Sequence, residues 1–125
     1  MLFAIALGGA AGSVARWVLG GFAQRAAADF PYGTLVINVT GSFLLGFLLR
    51  YLLATSASPE LRAALTVGFC GGYTTFSTFS YETAALLEGG SWGRAAVYVA
   101  GSVLLSLAAT FAGFAAARGA IAAPR

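Results

Sequence analysis

The chain has 125 residues, 59% hydrophobic and only 9% charged, with a mean hydropathy of +0.85 and a formal charge of +3. Soluble domains carry about 25% charged residues, so this chain lacks the charge to cover a soluble surface and reads as an integral membrane protein. It has no histidine and one cysteine, Cys70, which excludes an intrachain disulfide and the usual His and Cys metal sites, and its seven arginines form no basic face for a nucleic acid.

Four apolar stretches, at about 2–23, 33–53, 61–87 and 92–118, each reach the roughly 20 residues that span a bilayer. The expected fold is an all-α integral membrane domain of four transmembrane helices, with nothing left over for a soluble domain. The connections are short and hold Pro31, Pro59 and the Gly89-Gly90 pair, which is turn chemistry. Ser13-Val14-Ala15 faintly suggests a signal cleavage site, but no positive region precedes the apolar run, so the first stretch is read as a membrane helix.

Along the first stretch Gly8, Gly12, Arg16 and Gly20 recur at steps of four on one face. Small residues at that spacing let helix backbones approach closely. Arg16 is different, because an arginine inside a span needs partners or a watery vestibule. Carbonyls at a helix end would serve it, and so would an anion held directly.

The second stretch places Thr34, Asn38 and Ser42 on one face. A hydroxyl satisfies itself on its own helix, whereas an asparagine amide has more donors and acceptors than its helix can use. Asn38 therefore either bonds another helix for assembly or lines a polar track.

The third stretch contains Gly68-Phe69-Cys70-Gly71-Gly72-Tyr73-Thr74-Thr75-Phe76-Ser77-Thr78-Phe79-Ser80. Two adjacent glycines followed by hydroxyls and rings predict a helix broken in mid-membrane. Freed backbone groups at that depth must be buried by protein or line a polar cavity, and such breaks recur as ion sites. Phe76 and Phe79 share a face beyond the break. Their positive ring edges suit an anion, although simple packing is the ordinary reading of two phenylalanines. Glu82 falls within about two turns of the end of the stretch, where it reaches the interface or relays protons.

The fourth stretch repeats the polar pattern with Tyr98, Ser102 and Ser106, continued by Thr110. Together the second and fourth stretches predict a track rich in donors and almost free of charge. That chemistry favours a small, strongly hydrated anion. With the termini and second connection on one side, Arg50, Arg62, Arg118 and Arg125 stand against Arg16, Arg25 and Arg94. Four against three is almost no orientation bias, which permits insertion both ways and an antiparallel dimer. No nucleophilic triad, phosphate loop or carboxylate pair is present, so an enzyme is not expected.

Three blocks resemble one family, the Fluc (CrcB) fluoride channels, in order and along essentially the whole chain. They are Gly8-Gly9-Ala10-Ala11-Gly12-Ser13-Val14-Ala15-Arg16-Trp17, Gly33-Thr34-Leu35-Val36-Ile37-Asn38-Val39-Thr40-Gly41-Ser42-Phe43, and the run from Gly68 to Phe79. Trp17, Ile37 and Tyr73 are mild departures from the family pattern. The resemblance implies a dual-topology antiparallel homodimer with two fluoride pores, in the bacterial plasma (inner) membrane. It implies a structural sodium ion (Na+) at the dimer interface, held by the backbone carbonyls of Gly71 and Thr74. It further implies that the ring edges of Phe76 and Phe79 face the anion and that the Asn38 amide donates to it. Thr34 lies one turn earlier, Ser77 and Thr78 add hydroxyls near the rings, and Tyr98, Ser102 and Ser106 form the fourth-helix track. Export would be passive and would confer fluoride resistance.

Two rival readings remain. A small proton-coupled multidrug-type exporter has the same size and helix count, but needs a central carboxylate that only Glu82 could supply. A non-transporting structural subunit would use the glycine faces for assembly and leave the polar stripes without a purpose.

Overall fold

The computed structural model describes residues 1–25 and 29–123, and all of its regular structure is helical. Residues 26–28 of the first connection and Arg125, which entered the charge balance above, lie outside the described residues. Helix α1 runs Leu2–Gln24 and α2 runs Tyr32–Ala54. The third stretch is divided into α3 (Pro59–Ala63), a π-type segment (Ala64–Cys70), one further turn α4 (Gly71–Tyr73) and, after two extended residues, α5 (Phe76–Glu88). Helix α6 runs Trp92–Ala122.

Among the described residues three helices are long and apolar enough to cross a membrane, namely α1, α2 and α6, with mean hydropathies of 1.6, 1.6 and 1.9. At about 1.5 Å per residue each exceeds the roughly 30 Å hydrocarbon layer. The third stretch shows no such helix because it is cut into pieces. Large apolar side chains face outward along the bundle, with Leu2, Trp17, Phe76 and Phe111 at 85%, 80%, 78% and 66% exposure. An exterior this apolar suits lipid, as expected of a multi-pass membrane protein.

The ends of the helices follow local chemistry. Ser58 caps α3 by accepting from Leu61 N at 3.2 Å, with Pro59 at the first helical position, where its missing N–H costs nothing. Helix α5 stops at Gly90, whose φ of +73° lets the chain turn; Gly90 N donates to Leu87 O and Ser91 N to Leu86 O, the paired bonds of a glycine C-cap. At the start of α2 the orphan N–H of Gly33 is taken by Gln24 Oε1 at 3.1 Å, while Gln24 Nε2 donates to Phe30 O.

Packing is set by glycine. Helix α1 lies against the π segment and α4, and α2 lies against α6. A methyl group added at Gly68 would stand 2.6 Å from Ile5 O, and one at Gly72 would stand 2.5 Å from Gly9 O. At Gly8 and Gly12 it would run into the carbonyls of Ala64 and Phe69. The α1 glycine face is thus a backbone-to-backbone seam. The innermost side chains, Ile37, Cys70, Tyr98 and Ala117, are fully or almost fully buried and come from α2, the π segment and α6.

Candidate functional site

The site is built around Thr74 and Thr75, which separate α4 from α5. Both are extended, Thr74 with φ −81° and ψ 158°, Thr75 with φ −152° and ψ 115°. Extended residues withdraw from the helical ladder, so their polar groups need other partners. Thr74 N and Thr74 Oγ1 both donate to Cys70 O, at 3.0 and 2.9 Å. Thr74 O accepts from an Arg16 guanidinium nitrogen at 3.3 Å, so the arginine of α1 ends on a carbonyl of the break. Thr75 is served by Asn38 of α2 on both sides. Thr75 N donates to Asn38 Oδ1 at 2.8 Å, and Asn38 Nδ2 donates to Thr75 O at 3.0 Å.

Thr75 in turn starts α5. Its Oγ1 accepts from Thr78 N at 3.2 Å, the bond of a helix N-cap, and donates to Thr78 Oγ1 at 3.0 Å. It also lies 3.2 Å from Ser77 Oγ. The ring centroids of Phe76 and Phe79 stand 5.4 Å apart, and Phe79 lies 5.2 Å from Tyr98. Phe76 is 78% exposed in the protomer, while Phe79 is half-buried.

A cleft of about 410 Å³ opens between α2, the break and α6. Asn38, Ser42, Thr74, Thr75, Ser102 and Ser106 line its polar side, and Phe76 and Phe79 stand at its wall. Among the described residues no charged side chain lines it. The Thr110 hydroxyl is spent on the carbonyls of Ser106 and Ser42. Ser102 Oγ is buried and has no hydrogen-bond partner among the described residues. A buried hydroxyl without a partner is costly, and here its donor is held beside the cleft.

Two residues expected on the track are engaged elsewhere. Thr34 Oγ1 donates to Glu82 Oε1 at 2.8 Å, and Tyr98, fully buried, donates to Glu82 Oε2 at 2.6 Å. Glu82 thus meets residues of two other helices. Its carboxylate bridges α2 and α6, and both oxygens are hydrogen-bonded. Nor does the α2 stripe stay on one cavity. Asn38 and Ser42 line the first cleft, whereas Thr34 lines a second of about 490 Å³ together with Ser13, Arg16, Thr78 and Glu82. Thr75 borders both.

The remaining candidates are placed as follows. Ser77 and Thr78 are exposed on the first turn of α5. Gly71 has open space on its Cβ side. Among the described residues no group of three His, Cys, Asp or Glu could hold a metal. The structure also gives two residues a place that sequence reading did not assign them. Thr75 stood in the quoted run, and a Thr immediately before a resuming helix is a readable N-cap signal. Glu82 was noticed, but its partners lie 48 and 16 positions away and carry no local signal.

Residues 3–114 match the family model described as CrcB-like protein, Camphor Resistance (CrcB). A protein of Geobacter metallireducens named Fluoride-specific ion channel FluC is 52% identical over 119 residues, covering 94% of this chain and 96% of the relative. A Thermus thermophilus protein of the same name is 50% identical over 111 residues, 88% of this chain and 87% of its own. A Methylococcus capsulatus protein, again of that name, is 57% identical over 119 residues. The chain spans about half the length of that last relative, since the match covers 52% of it.

Proposed function

The chain belongs to the CrcB-like family, and from that membership and the cleft we propose that it is a fluoride-selective channel, a passive conductor and not an enzyme. The observation that carries the reading is the uncharged cleft itself. Serine and threonine hydroxyls and two phenylalanine rings converge there, and the buried Ser102 hydroxyl is unpartnered. A small anion needs donors to replace its hydration shell, but must not meet a fixed cation that would hold it. The cleft supplies the first without the second, and the relatives named as fluoride-specific channels fit that chemistry.

In the finer reading, the pieces from Pro59 to Glu88 together make the fourth span, with the Thr74-Thr75 break at membrane depth. Two copies assemble as an antiparallel homodimer of dual topology, the partner covering rings such as Phe76 that the single protomer leaves bare. Fluoride passes Phe76, Phe79, Ser102 and Ser106, with Thr34, Asn38, Ser77, Thr78 and Tyr98 around that path. Export follows from the membrane potential, since moving a monovalent anion out of a negative interior gains about 2.3 kcal/mol per 100 mV.

A structural sodium would be held by the carbonyls of Gly71 and Thr74, and it would supply a fixed positive charge between the protomers. The donor set suits it, because hard cations take carbonyl oxygens and no carboxylate cluster competes. Thr74 O already accepts from Arg16, and a carbonyl has a second lone pair to give.

The proton-coupled exporter has one observation in its favour, the interior position of the Glu82 carboxylate between Thr34 and Tyr98. The two readings separate in liposomes of the purified chain, with valinomycin and potassium setting the voltage. Fast fluoride efflux with negligible chloride efflux is expected. Silence from a well-folded protein, with cation uptake driven by a pH gradient instead, establishes the exporter.

A further inference from the structure

We infer that Asn38 acts as a clamp on the backbone of Thr75, a positioning residue that fixes the break and the first turn of α5, and that this is its principal contribution to conduction. The inference deepens the channel reading and rests on it for its flux readout alone.

The geometry is that of a strand edge supplied by a side chain. Thr75 N–H and C=O both point to the one amide, at 2.8 and 3.0 Å, and Thr75 is extended and 9% exposed. Only the orientation with Oδ1 toward the N–H and Nδ2 toward the carbonyl satisfies both bonds. No residue of the same helix could do this, because a helical backbone has no free donor beside a free acceptor in mid-span. Serine or threonine at position 38 would offer a single oxygen and reach one of the two groups.

What the clamp holds is the start of α5. Thr75 Oγ1 caps the helix through Thr78 N and bonds Thr78 Oγ1, so the dihedrals of Thr75 set where Phe76 and Phe79 point. The Thr74 carbonyl is tied separately to Arg16. The two extended residues are therefore pinned from two different helices. A direct role for Asn38 as an anion donor has only its second Nδ2 hydrogen left, since the first goes to Thr75 O.

That remaining hydrogen allows the two roles to be separated. The carboxylate introduced by Asn38→Asp still accepts from Thr75 N, but it presents a second acceptor to Thr75 O. Once protonated, its C=O accepts from Thr75 N and its O–H donates to Thr75 O, restoring the clamp. It then has no hydrogen to spare for an anion. The titratable groups on the surrounding elements are Arg16 on α1, Cys70 and Tyr73 before the break, Glu82 on α5 and Tyr98 on α6. Wild-type protein at the same pH carries all of them unchanged and is the reference, with protein-free vesicles giving the leak of undissociated acid.

The test compares fluoride efflux of wild type and Asn38→Asp at about pH 7.5 and about pH 5.5. A loss of about tenfold or more at the higher pH, recovering to within about threefold of wild type at the lower, is expected of a clamp. With the introduced carboxyl shown by its infrared C=O band to be protonated at the lower pH, a loss that acid does not relieve, in protein eluting like wild type, overturns the inference and leaves the second N–H as the group that matters. A carboxyl still ionised there hands the decision to hydrogen exchange. Hydrogen exchange decides the same point without flux, and holds even if the wild-type chain proves not to conduct. In Asn38→Ala the Thr75 amide is expected to exchange about tenfold faster or more while amides at 96–112 in α6 are unchanged. Equal acceleration in α6, or none at Thr75, overturns the clamp.

Discussion

The two contacts of the third stretch differ in kind. Against α1 it meets backbone with backbone, and Gly68 and Gly72 come so near Ile5 O and Gly9 O that no Cβ would fit. Against α2 and α6 it is joined by side chains, through Asn38 to Thr75 and through Glu82 to Thr34 and Tyr98. In lipid there is no hydrophobic drive between helices, so close van der Waals contact and interhelical hydrogen bonds must supply association. This protein leans on one device for each side. The first side is specified mainly by the side chains it lacks, with the Arg16 guanidinium adding a polar link to Thr74 O. The second has polar groups in excess of what assembly uses, and the excess faces the cleft.

The sharpest way to break the comparison is at the seam. Gly12→Val would drive a branched side chain into Phe69 O and bring its Cβ to 2.9 Å from Tyr73 N. Neither helix can yield without moving backbone, so a loss of about 3 kcal/mol or more is expected, at the upper end of overpacking costs. The measurement is the yield and melting temperature of purified protein in detergent. Gly93→Ala, at a position with nothing within 4 Å, is the matched control and is expected to change stability by less than about 1 kcal/mol. Equal damage from both would mean that the seam is no more demanding than any other helical glycine.

On the polar side, Glu82→Ala leaves the buried Tyr98 hydroxyl and the Thr34 hydroxyl without their acceptor. Interhelical hydrogen bonds in membranes average about 0.6 kcal/mol, and losing two to a carboxylate is expected to cost about 2 kcal/mol of stability. Tyr98→Phe removes one donor and should cost about half of that. If Tyr98→Phe costs as much as Glu82→Ala, Thr34 contributes nothing to the bridge.

Much of this arrangement is legible in the sequence, and the limits have physical causes. The four apolar stretches, the glycine face of α1, the Ser58-Pro59 start and the Gly89-Gly90 stop are local, and local signals survive in a string of letters. The stripes at Thr34, Asn38, Ser42 and at Tyr98, Ser102, Ser106 are legible as faces. Which cavity each residue serves is not, because Thr75 stands between the two and divides the α2 stripe. Glu82 illustrates the same limit. Its place within two turns of the end of α5 is as counted, but its partners Thr34 and Tyr98 lie 48 and 16 positions away, and no count along one stretch contains them.

Phe79→Ile bears on the cleft itself. The ring touches both Phe76 and Tyr98, at 5.4 and 5.2 Å between centroids, yet is only half-buried. Its loss should cost under about 1.5 kcal/mol of stability while removing a ring edge from the wall. Fluoride efflux is expected to fall about tenfold with the protein still folded. Wild-type flux would assign the ring to packing.

The loss of a single hydroxyl separates the two uses of a polar group most cleanly. Ser102→Ala removes one buried hydroxyl that has no partner among the described residues. If that hydroxyl served assembly, its removal would destabilise the protein. With no partner to lose, the substitution relieves a desolvated group and is expected to leave stability unchanged or raise it by up to about 1 kcal/mol. Conduction should move the opposite way, because the hydroxyl is a donor that an anion passing the cleft would use, and efflux is expected to fall about threefold to tenfold. A melting temperature that holds or rises while flux falls is a combination that packing alone does not produce. A melting temperature that falls together with flux would return Ser102 to the assembly side of the comparison, and the cleft would lose the hydroxyl that most distinguishes it from a packing defect.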